Sequence, residues 1–206
     1  MTLPPEERLI YHITAIENLP AILDEGGLLS DEVMSHRDPT IIGHSHIKER
    51  RLTKIRVPSC GNRFVGEFVP FYFSPRSPML YSINLGNTGR TPGCQNTIVH
   101  LVSRVRDAIA LGMPWAVSDG NAGAFHTTFE STLQAIDNLD WTAIEATSWA
   151  ANRHQKQAEF LAADFFPWTA FHEVGCYDAA AAAEVAAIIT SQNHRPKVSV
   201  KRGWYY

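Results

Sequence analysis

Residues 9–14 read Leu-Ile-Tyr-His-Ile-Thr, a β-branched and aromatic run that predicts a β-strand with His12 near its end. Working outward, Leu19, Ile22 and Leu23 recur at the spacing of one helix face, and Gly26-Gly27 is a typical helix stop. We therefore expect the chain to open with a short strand followed by a helix.

Further strands and helices are predicted along the rest of the chain. We expect strands at 65–74, 97–102, 114–117 and 197–201, helices at 75–81, 129–149 and 179–189, and either a strand or a helix at 158–161. Pro70 places the first of these strands at a sheet edge or a bulge. Strands scattered among helices without regular β-α-β alternation predict an α+β fold.

Length and composition narrow the class of protein. A chain of 206 residues, 45% hydrophobic and 19% charged, predicts one folded domain spanning 1–206. Its three cysteines are odd in number and form no Cys-x-x-Cys pair, so we expect a reducing compartment rather than a disulfide framework. With no secretory signal and no long apolar run, the expected location is the cytoplasm and no membrane is involved.

Several common catalytic motifs are absent from the sequence. There is no P-loop, no Gly-x-Gly-x-x-Gly after a strand and no Gly-x-Ser-x-Gly elbow. His44 and His46 offer two imidazoles but no third ligand at a recognisable spacing, so we predict no metal site.

Three segments together carry a resemblance. They are Tyr11-His12-Ile13-Thr14, the aromatic run from Phe71 to Tyr81, and Lys156-Gln157-Ala158-Glu159-Phe160-Leu161. Their order resembles the His, Tyr and Glu arrangement of the diphtheria-toxin-like ADP-ribosyltransferases. With the segment 46–51, His-Ile-Lys-Glu-Arg-Arg, and the terminal Trp-Tyr-Tyr at 204–206, the chain resembles the DarT family of DNA ADP-ribosyltransferase toxins over nearly its whole length.

The resemblance implies a fold, a reaction and partners. It implies an ADP-ribosyltransferase fold with a split central β-sheet flanked by helices. It implies a toxin that transfers ADP-ribose from NAD to thymidine bases in single-stranded DNA, releases nicotinamide, uses no metal and is opposed by a DarG-like macrodomain antitoxin. The residues it assigns to NAD are His12, Ile13, Thr14, Leu29, Arg51 and Tyr72, and the residues it assigns to catalysis are Glu159 and Arg51.

Glu159 suits this chemistry on physical grounds. Loss of nicotinamide passes through an oxocarbenium-like ribosyl cation, which a neighbouring carboxylate stabilises. If residues 157–159 are extended, Gln157 shares a face with Glu159 and meets the acceptor. Residue 157 is not glutamate, so the Glu-x-Glu pattern of arginine-modifying transferases is missing and a different acceptor is implied. The alternative is an ordinary surface glutamate beside a buried Phe160.

Arg51 corresponds to the arginine that DarT-like enzymes are thought to use for NAD contact and for proton removal from thymine. A guanidinium is effectively always protonated, so we expect Arg51 to stabilise the thymine anion while pairing with an NAD phosphate. Arg50 is the neighbouring alternative, because the sequence does not show which of the two points inward.

The net charge of −3 hides basic strips that suit a nucleic-acid acceptor. The stretch 48–63 holds six lysines and arginines against one acid, Glu49, and residues 185–206 contain no acid and end in three aromatic rings. Basic groups beside aromatic rings are typical of single-strand binding. The residues predicted to contact DNA are Arg50, Lys54, Arg76, Met79, Arg153, His154 and Gln157.

Other interpretations remain open at the level of sequence. The same transferase fold could modify RNA, guanine or protein, or act on a 2′-phosphate as RNA phosphotransferases do. A non-catalytic nucleic-acid-binding module would use the basic segments alone.

Overall fold

The computed structural model describes residues 3–34 and 45–206, and its centre is an eight-stranded sheet. The strands are β1 Leu9–Ala15, β2 Gly27–Leu29, β3 Arg56–Val57, β4 Arg63–Phe64, β5 Phe68–Tyr72, β6 Ile98–Arg104, β7 Trp115–Ser118, β8 Phe129–Glu130, β9 Glu159–Ala163, β10 Phe165–Pro167, β11 Glu173–Cys176 and β12 Lys197–Val200. The helices are α1 Leu19–Asp24, α2 Asp31–Met34, α3 Ser45–Thr53, α4 Pro78–Asn84, α5 Val105–Ala110, α6 Leu133–Asp137, α7 Trp141–Glu145 and α8 Ala179–Ile189.

The large sheet is split at its centre. Its strand order is β12-β11-β6-β1-β5-β9-β7-β8, and β1 pairs with β6 along its whole length. On its other side β1 meets β5 only at Tyr11↔Tyr72, whereas β5 pairs with β9 from Phe68 to Tyr72. The two halves of the sheet therefore diverge between β1 and β5, and the predicted α+β fold with a split sheet is confirmed.

Pro70 explains part of this divergence. It lies in an interior strand, so the prediction of an outer edge or a bulge is wrong in position. Its carbonyl oxygen faces β1 and accepts a hydrogen bond from His12 Nδ1 at 2.9 Å. Because the N–H and C=O of a strand residue point to the same side, the missing N–H of Pro70 also faces the split, where β5 has an unpaired edge.

The apolar core lies on both sides of the sheet. The largest cluster packs α1 and α8 against it through residues such as Leu19, Val185, Phe71 and Phe160. A fully buried side chain of this size contributes roughly 1.5–3 kcal/mol relative to an exposed one. The predicted helix 179–189 is confirmed, and it begins at Asp178, whose side chain accepts from the Ala181 N–H at 2.9 Å.

Two secondary-structure predictions need correction, and the structure decides one alternative that the sequence left open. Residues 65–67 form a 3-10 turn because the Glu67 carboxylate reaches back to the Phe64 N–H at 2.7 Å. The helix predicted at 129–149 is instead the two short helices α6 and α7, since Asp140 caps a new helix through the Ala143 N–H at 2.9 Å. In the segment 158–161, for which a strand and a helix are both expected alternatives, residues 159–161 belong to strand β9 and Ala158 caps the preceding 3-10 turn.

The C-terminal rings do not form the predicted stacking surface. Tyr205 is only 3% exposed, and its hydroxyl donates to the carbonyl oxygens of Ile98 and Gly175. Trp204 packs edge-on against the ring of Tyr11, with the two ring centroids 5.3 Å apart. The nearby Lys201 pairs with Glu173 at 3.0 Å. Tyr205, Trp204 and Lys201 are therefore engaged in contacts within the fold.

None of the helices in the described ranges has the length and apolar character needed to span a bilayer.

Candidate active site

A buried ion pair joins α3 to the first residue of β9. Arg51 Nη1 donates to Glu159 Oε2 at 2.9 Å, and the two residues are only 7% and 3% exposed. Arg51 thus points inward, which decides between it and Arg50. Burying both charges carries a desolvation cost, and such pairs concentrate at functional sites.

The turn after β7 holds the second carboxylate oxygen of Glu159. The backbone N–H of Ala122 donates to Glu159 Oε1 at 3.0 Å. The Ser118 hydroxyl accepts from the Glu159 N–H at 3.1 Å and donates to the Gly120 carbonyl at 2.7 Å. Both oxygens of the carboxylate therefore have a donor, and its backbone is tied to the turn that supplies one of them.

Asp31 adds a second carboxylate beside Arg51. Its Oδ2 lies 3.8 Å from Arg51 Nε. Burial alone would lower the pKa of the Arg51 guanidinium, but Glu159 and Asp31 outweigh burial and hold that pKa above its ordinary value. Arg51 is therefore a fixed positive charge and not a proton acceptor.

His12 lies at the split with one ring nitrogen facing away from Pro70. Since a carbonyl oxygen only accepts, the contact with Pro70 assigns the proton of the neutral ring to Nδ1 and leaves Nε2 as an acceptor. Burial lowers the pKa of His12 and keeps the ring neutral. A hydroxyl of a sugar is a suitable donor to this nitrogen.

Tyr72 completes a row of residues across the sheet. It pairs with Tyr11 on one side and with Glu159 on the other, and Glu159 pairs in turn with Ser118. Burial and the Glu159 carboxylate raise the pKa of the Tyr72 hydroxyl, so it keeps its proton.

The remaining residues predicted for NAD line the same region of the fold. Ile13 and Thr14 follow His12 in β1, beyond the single pair that joins β1 to β5. Because successive residues of a strand point their backbone groups to opposite sides, those of Ile13 face β5 beyond this pair, whereas those of Thr14 face β6. Leu29 ends β2 and pairs with Phe165.

The segment before Glu159 differs from the extended conformation predicted for 157–159. Gln157 ends a 3-10 turn, and only Glu159 lies in the strand. Gln157 Oε1 nevertheless accepts from Asn121 Nδ2 at 3.0 Å, beside the Ala122 amide that holds Glu159. Gln157 Nε2 donates to the Arg153 carbonyl at 2.8 Å, and Arg153 itself is exposed.

His154 joins this segment to the turn after β7. Its Nδ1 lies 3.1 Å from His126 Nε2, and its Nε2 lies 3.6 Å from Asp119 Oδ1. The imidazole packs so closely on Gly120 that a Cβ there would lie 2.1 Å from the ring. Glycine is therefore required at 120 for this contact.

An exposed aromatic side chain stands beside Arg50. Phe125 is 73% exposed, and the Arg50 guanidinium carbon lies 5.9 Å from its ring centroid. Lys54, just after α3, is exposed. These groups present an aromatic ring and positive charge next to the buried Arg51.

Arg76 lies two residues before α4, and Met79 lies in the first turn of this helix. The Arg76 guanidinium carbon is 4.5 Å from the Tyr206 ring centroid, and Met79 packs against the cluster that includes Ile13 and Tyr72. His44 is outside the described residues, and the side chains of His46 and Lys48 are not described either, so the absence of a metal site stays a prediction.

Comparison with known proteins identifies the family. A family model described as "ssDNA thymidine ADP-ribosyltransferase, DarT" matches residues 11–206. The chain belongs to the DarT family. The predicted family and the transferase class are thereby confirmed.

Individual relatives of the DarT family agree over the whole chain. A DNA ADP-ribosyl transferase of Thermus aquaticus is 41% identical over 98% of this chain and 90% of the relative. The structure of Thermus sp. 2.9 DarT in complex with ADP-ribosylated ssDNA has a TM-score of 0.91 at 38% identity, covering 100% and 99% of the two chains. The structure of the same Thermus protein in complex with NAD+ has a TM-score of 0.87 at 36% identity, and the match covers 99% of this chain and 100% of that chain.

A third relative is longer. It is a DNA ADP-ribosyl transferase–DNA ADP-ribosyl glycohydrolase fusion protein of Thermosipho africanus, 35% identical over 147 residues that cover 66% of this chain and 33% of the fusion.

Sequence reasoning missed four contributors to this DarT site. They are Asp31, Ser118, the Ala122 amide and Phe125. The Asp-Gly-Asn-Ala-Gly run at 119–123 signalled a turn, but the contact of that turn with Glu159 joins residues far apart in the chain.

Proposed function

We propose that this protein transfers ADP-ribose from NAD+ to thymidine bases in single-stranded DNA, with Glu159 and Arg51 as its catalytic pair. The observation that carries the proposal is the buried contact between Arg51 and Glu159 at 2.9 Å, beside the sheet split where His12 and Tyr72 lie. Family membership, and the NAD+ and ADP-ribosylated DNA complexes of Thermus DarT, support the donor and the acceptor.

Glu159 acts on the donor. In the transfer, the bond between ribose C1′ and the nicotinamide nitrogen breaks, and the bonding pair leaves with neutral nicotinamide. Positive charge develops on the ribose in this transition state. A carboxylate already held by Arg51 and the Ala122 amide needs no reorganisation to stabilise that charge.

Arg51 acts on the acceptor. A thymine ring nitrogen forms the new bond to C1′ and gives up its proton to water, so negative charge develops on the base as the proton leaves. The fixed guanidinium stabilises that charge without taking the proton. Its Nη2 is buried and has no hydrogen-bond partner within residues 3–34 and 45–206, so this donor is open to a substrate oxygen. With Nη1 bound to Glu159, the bidentate phosphate contact expected from the sequence requires Nη2 and Nε.

The residues at the split fit NAD+. His12 Nε2 accepts from the adenosine ribose, the Ile13–Thr14 segment binds the nicotinamide amide through the backbone groups of Ile13 that face the split, and Tyr72 forms a wall for the nicotinamide ring. Leu29, at the end of β2, adds to the NAD+ site the edge of the small sheet that β2 forms with β10.

The acceptor strand lies over the face that carries Phe125. Arg50, Lys54 and Arg153 neutralise phosphates and His154 contacts the strand, while Gln157 contacts the target base and Phe125 stacks on a base. Single-stranded DNA is the natural acceptor because the reacting nitrogen must be unstacked.

We further propose that residues 1–206 form one catalytic domain that acts as the toxin of a toxin–antitoxin pair. The fusion relative carries a transferase and a DNA ADP-ribosyl glycohydrolase in one chain, which supports a DarG-like macrodomain partner that removes the modification.

Labelled NAD+ tests the proposal against the other acceptors. The protein is incubated with matched single-stranded DNA, duplex DNA, RNA and protein, and label is expected on single-stranded DNA alone. Arg51→Ala is expected to abolish labelling, and Arg195→Ala, which removes an exposed arginine after α8, is expected to leave it unchanged. Label on RNA or protein instead would overturn the assignment of the acceptor, and NAD+ left intact in every arm would overturn the enzyme.

A further inference from the structure

A cavity of about 270 Å³ lies at the end of the sheet where β1 begins and β5 ends. Phe73 and Trp141 supply apolar walls, and Arg8, Arg76, Lys156 and Glu145 supply charge. This cavity has no role in the mechanism described above, and its volume suits one nucleotide unit rather than a larger ligand.

The charge lining the cavity is unbalanced. Three cations face one carboxylate, and that carboxylate, Glu145, already pairs with Arg8 at 3.1 Å and is largely exposed. Arg76 has no ion-pair partner in the described part of the chain. Burial and the neighbouring Arg76 charge lower the pKa of Lys156 to about 8, as expected where positive charges are crowded together. The cavity therefore favours an anion.

Two arginine side chains have donors to offer. The Nε atoms of Arg8 and Arg76 are buried without a hydrogen-bond partner among the described residues. Lys156 does not compete for the same ligand atoms, because its ammonium already donates to Ser74 Oγ at 3.0 Å and to the Ala146 and Ile144 carbonyls. The guanidinium fork matches the oxygens of a phosphate.

Both guanidinium groups are also held in place by aromatic rings. The Arg8 guanidinium carbon lies 3.5 Å from the Trp141 ring centroid, and that of Arg76 lies 4.5 Å from the Tyr206 ring centroid. Stacked side chains lose less conformational freedom when a ligand binds, so this is a preorganised site.

The cavity adjoins the catalytic glutamate. Tyr11, which lines it, pairs with Tyr72, and Tyr72 pairs with Glu159. Two strand spacings separate Tyr11 from Glu159 at their Cα atoms, a distance of about 10 Å. A stacked strand rises by about 3.4 Å per nucleotide along its axis, and consecutive phosphates lie farther apart than this rise, so the distance corresponds to about three nucleotides at most.

We propose that this cavity is a phosphodiester subsite in which Arg8 and Arg76 bind a backbone phosphate within about three nucleotides of the modified thymidine. The inference rests on the proposed transfer to single-stranded DNA. It assigns part of the acceptor binding to a surface separate from the one that carries Arg50 and Phe125.

Neutral backbone linkages test the subsite. Oligonucleotides with one target thymidine carry a single methylphosphonate at successive positions, and KM and kcat are measured. A methylphosphonate at one position within three nucleotides of the target is expected to raise the KM for DNA about tenfold and to leave kcat little changed. An increase of this size corresponds to the loss of one charge-assisted hydrogen bond. Arg76→Gln is expected to raise the KM to the same extent, and the methylphosphonate at that position is expected to add nothing further.

Controls separate the subsite from the reaction itself. Arg195→Gln makes the same charge change elsewhere and should respond to the methylphosphonate as the unaltered protein does. Arg76→Lys keeps the charge and should restore part of the affinity. Additive effects of the variant and the neutral linkage would overturn the subsite, as would a raised KM for NAD+ in place of DNA. Absence of transfer by the unaltered protein to the all-phosphate strand would instead overturn the proposed function.

Discussion

The Glu159 carboxylate carries the largest expected effect of any single side chain. Glu159→Gln keeps the size and the hydrogen-bonding shape of the residue but removes its charge. We expect kcat for transfer to fall by about 10³, because one preorganised electrostatic group is lost from the transition state. NAD+ binding, followed by calorimetry, should persist. Transfer at an unaltered rate would show that Glu159 is structural.

Phe125 is the residue whose exposure most needs a functional explanation. Phe125→Ala should raise the KM for single-stranded DNA about tenfold, in the range measured for one base–aromatic stack, with the KM for NAD+ unchanged. Leu85, exposed at the end of α4, provides a control for loss of apolar surface through Leu85→Ala. Equal effects of the two substitutions would argue against stacking.

The sequence predicted the site residues whose type and order along the chain indicate their chemistry. It placed Glu159, His12 and Tyr72 in ordered motifs, but left Arg50 and Arg51 as alternatives because both belong to one helical segment. The direction in which each points depends on the packing of α3 against the sheet. Asp31 and the Ala122 amide depend on the same packing and gave no local signal.

The turn after β7 is the element that positions the Glu159 carboxylate. Ser118→Ala removes the hydroxyl that joins the Glu159 N–H to the Gly120 carbonyl. We expect kcat to fall about tenfold with both KM values unchanged, because misplacing a catalytic group weakens the transition state more than substrate binding.

Ser103→Ala is the matched control for Ser118→Ala. Ser103 is also fully buried in a strand, and its hydroxyl donates to the Ala170 carbonyl at 2.7 Å, away from Glu159. Its loss should affect the free energy of unfolding and leave kcat intact. Equal losses of kcat in the two variants would mean that the Ser118 effect is one of stability.

The sequence predicted those helices and strands whose periodicity and residue types give a strong local pattern. The alanine-rich helix 179–189 and the strand beginning at Leu9 follow from periodicity and residue type. The break between α6 and α7 follows from the Asp140 cap, which a long helical pattern conceals. Pro70 predicted a sheet edge, but β5 is an interior strand, and only the sheet topology shows that Pro70 lies beside the split between β1 and β5.

The whole molecule should lose stability in mild acid because of a buried histidine. His100 is fully buried with Nε2 at 2.9 Å from the Pro75 carbonyl oxygen, and burial lowers its pKa to about 4. Between pH 6.5 and 4 the unfolded chain binds a proton that the folded chain refuses, so falling pH destabilises the fold, by about 3 kcal/mol in total from this group.

Denaturant unfolding across this pH range measures the effect. His12 and His172, whose pKa values burial also lowers, act in the same direction. His100→Gln should therefore reduce the pH slope by close to one proton without removing it. An unchanged slope would show that His100 does not remain neutral in the folded state.

We propose that the Arg51–Glu159 pair at the sheet split catalyses the transfer of ADP-ribose from NAD+ to thymidine. Mass spectrometry of a single-stranded oligonucleotide containing one thymidine, after incubation with NAD+, tests it most directly. We predict the addition of one ADP-ribose on the thymine base, with equimolar nicotinamide released, and no addition with Glu159→Gln. Attachment of ADP-ribose to another base would contradict this proposal. Transfer by Glu159→Gln at an unaltered rate would contradict it as well.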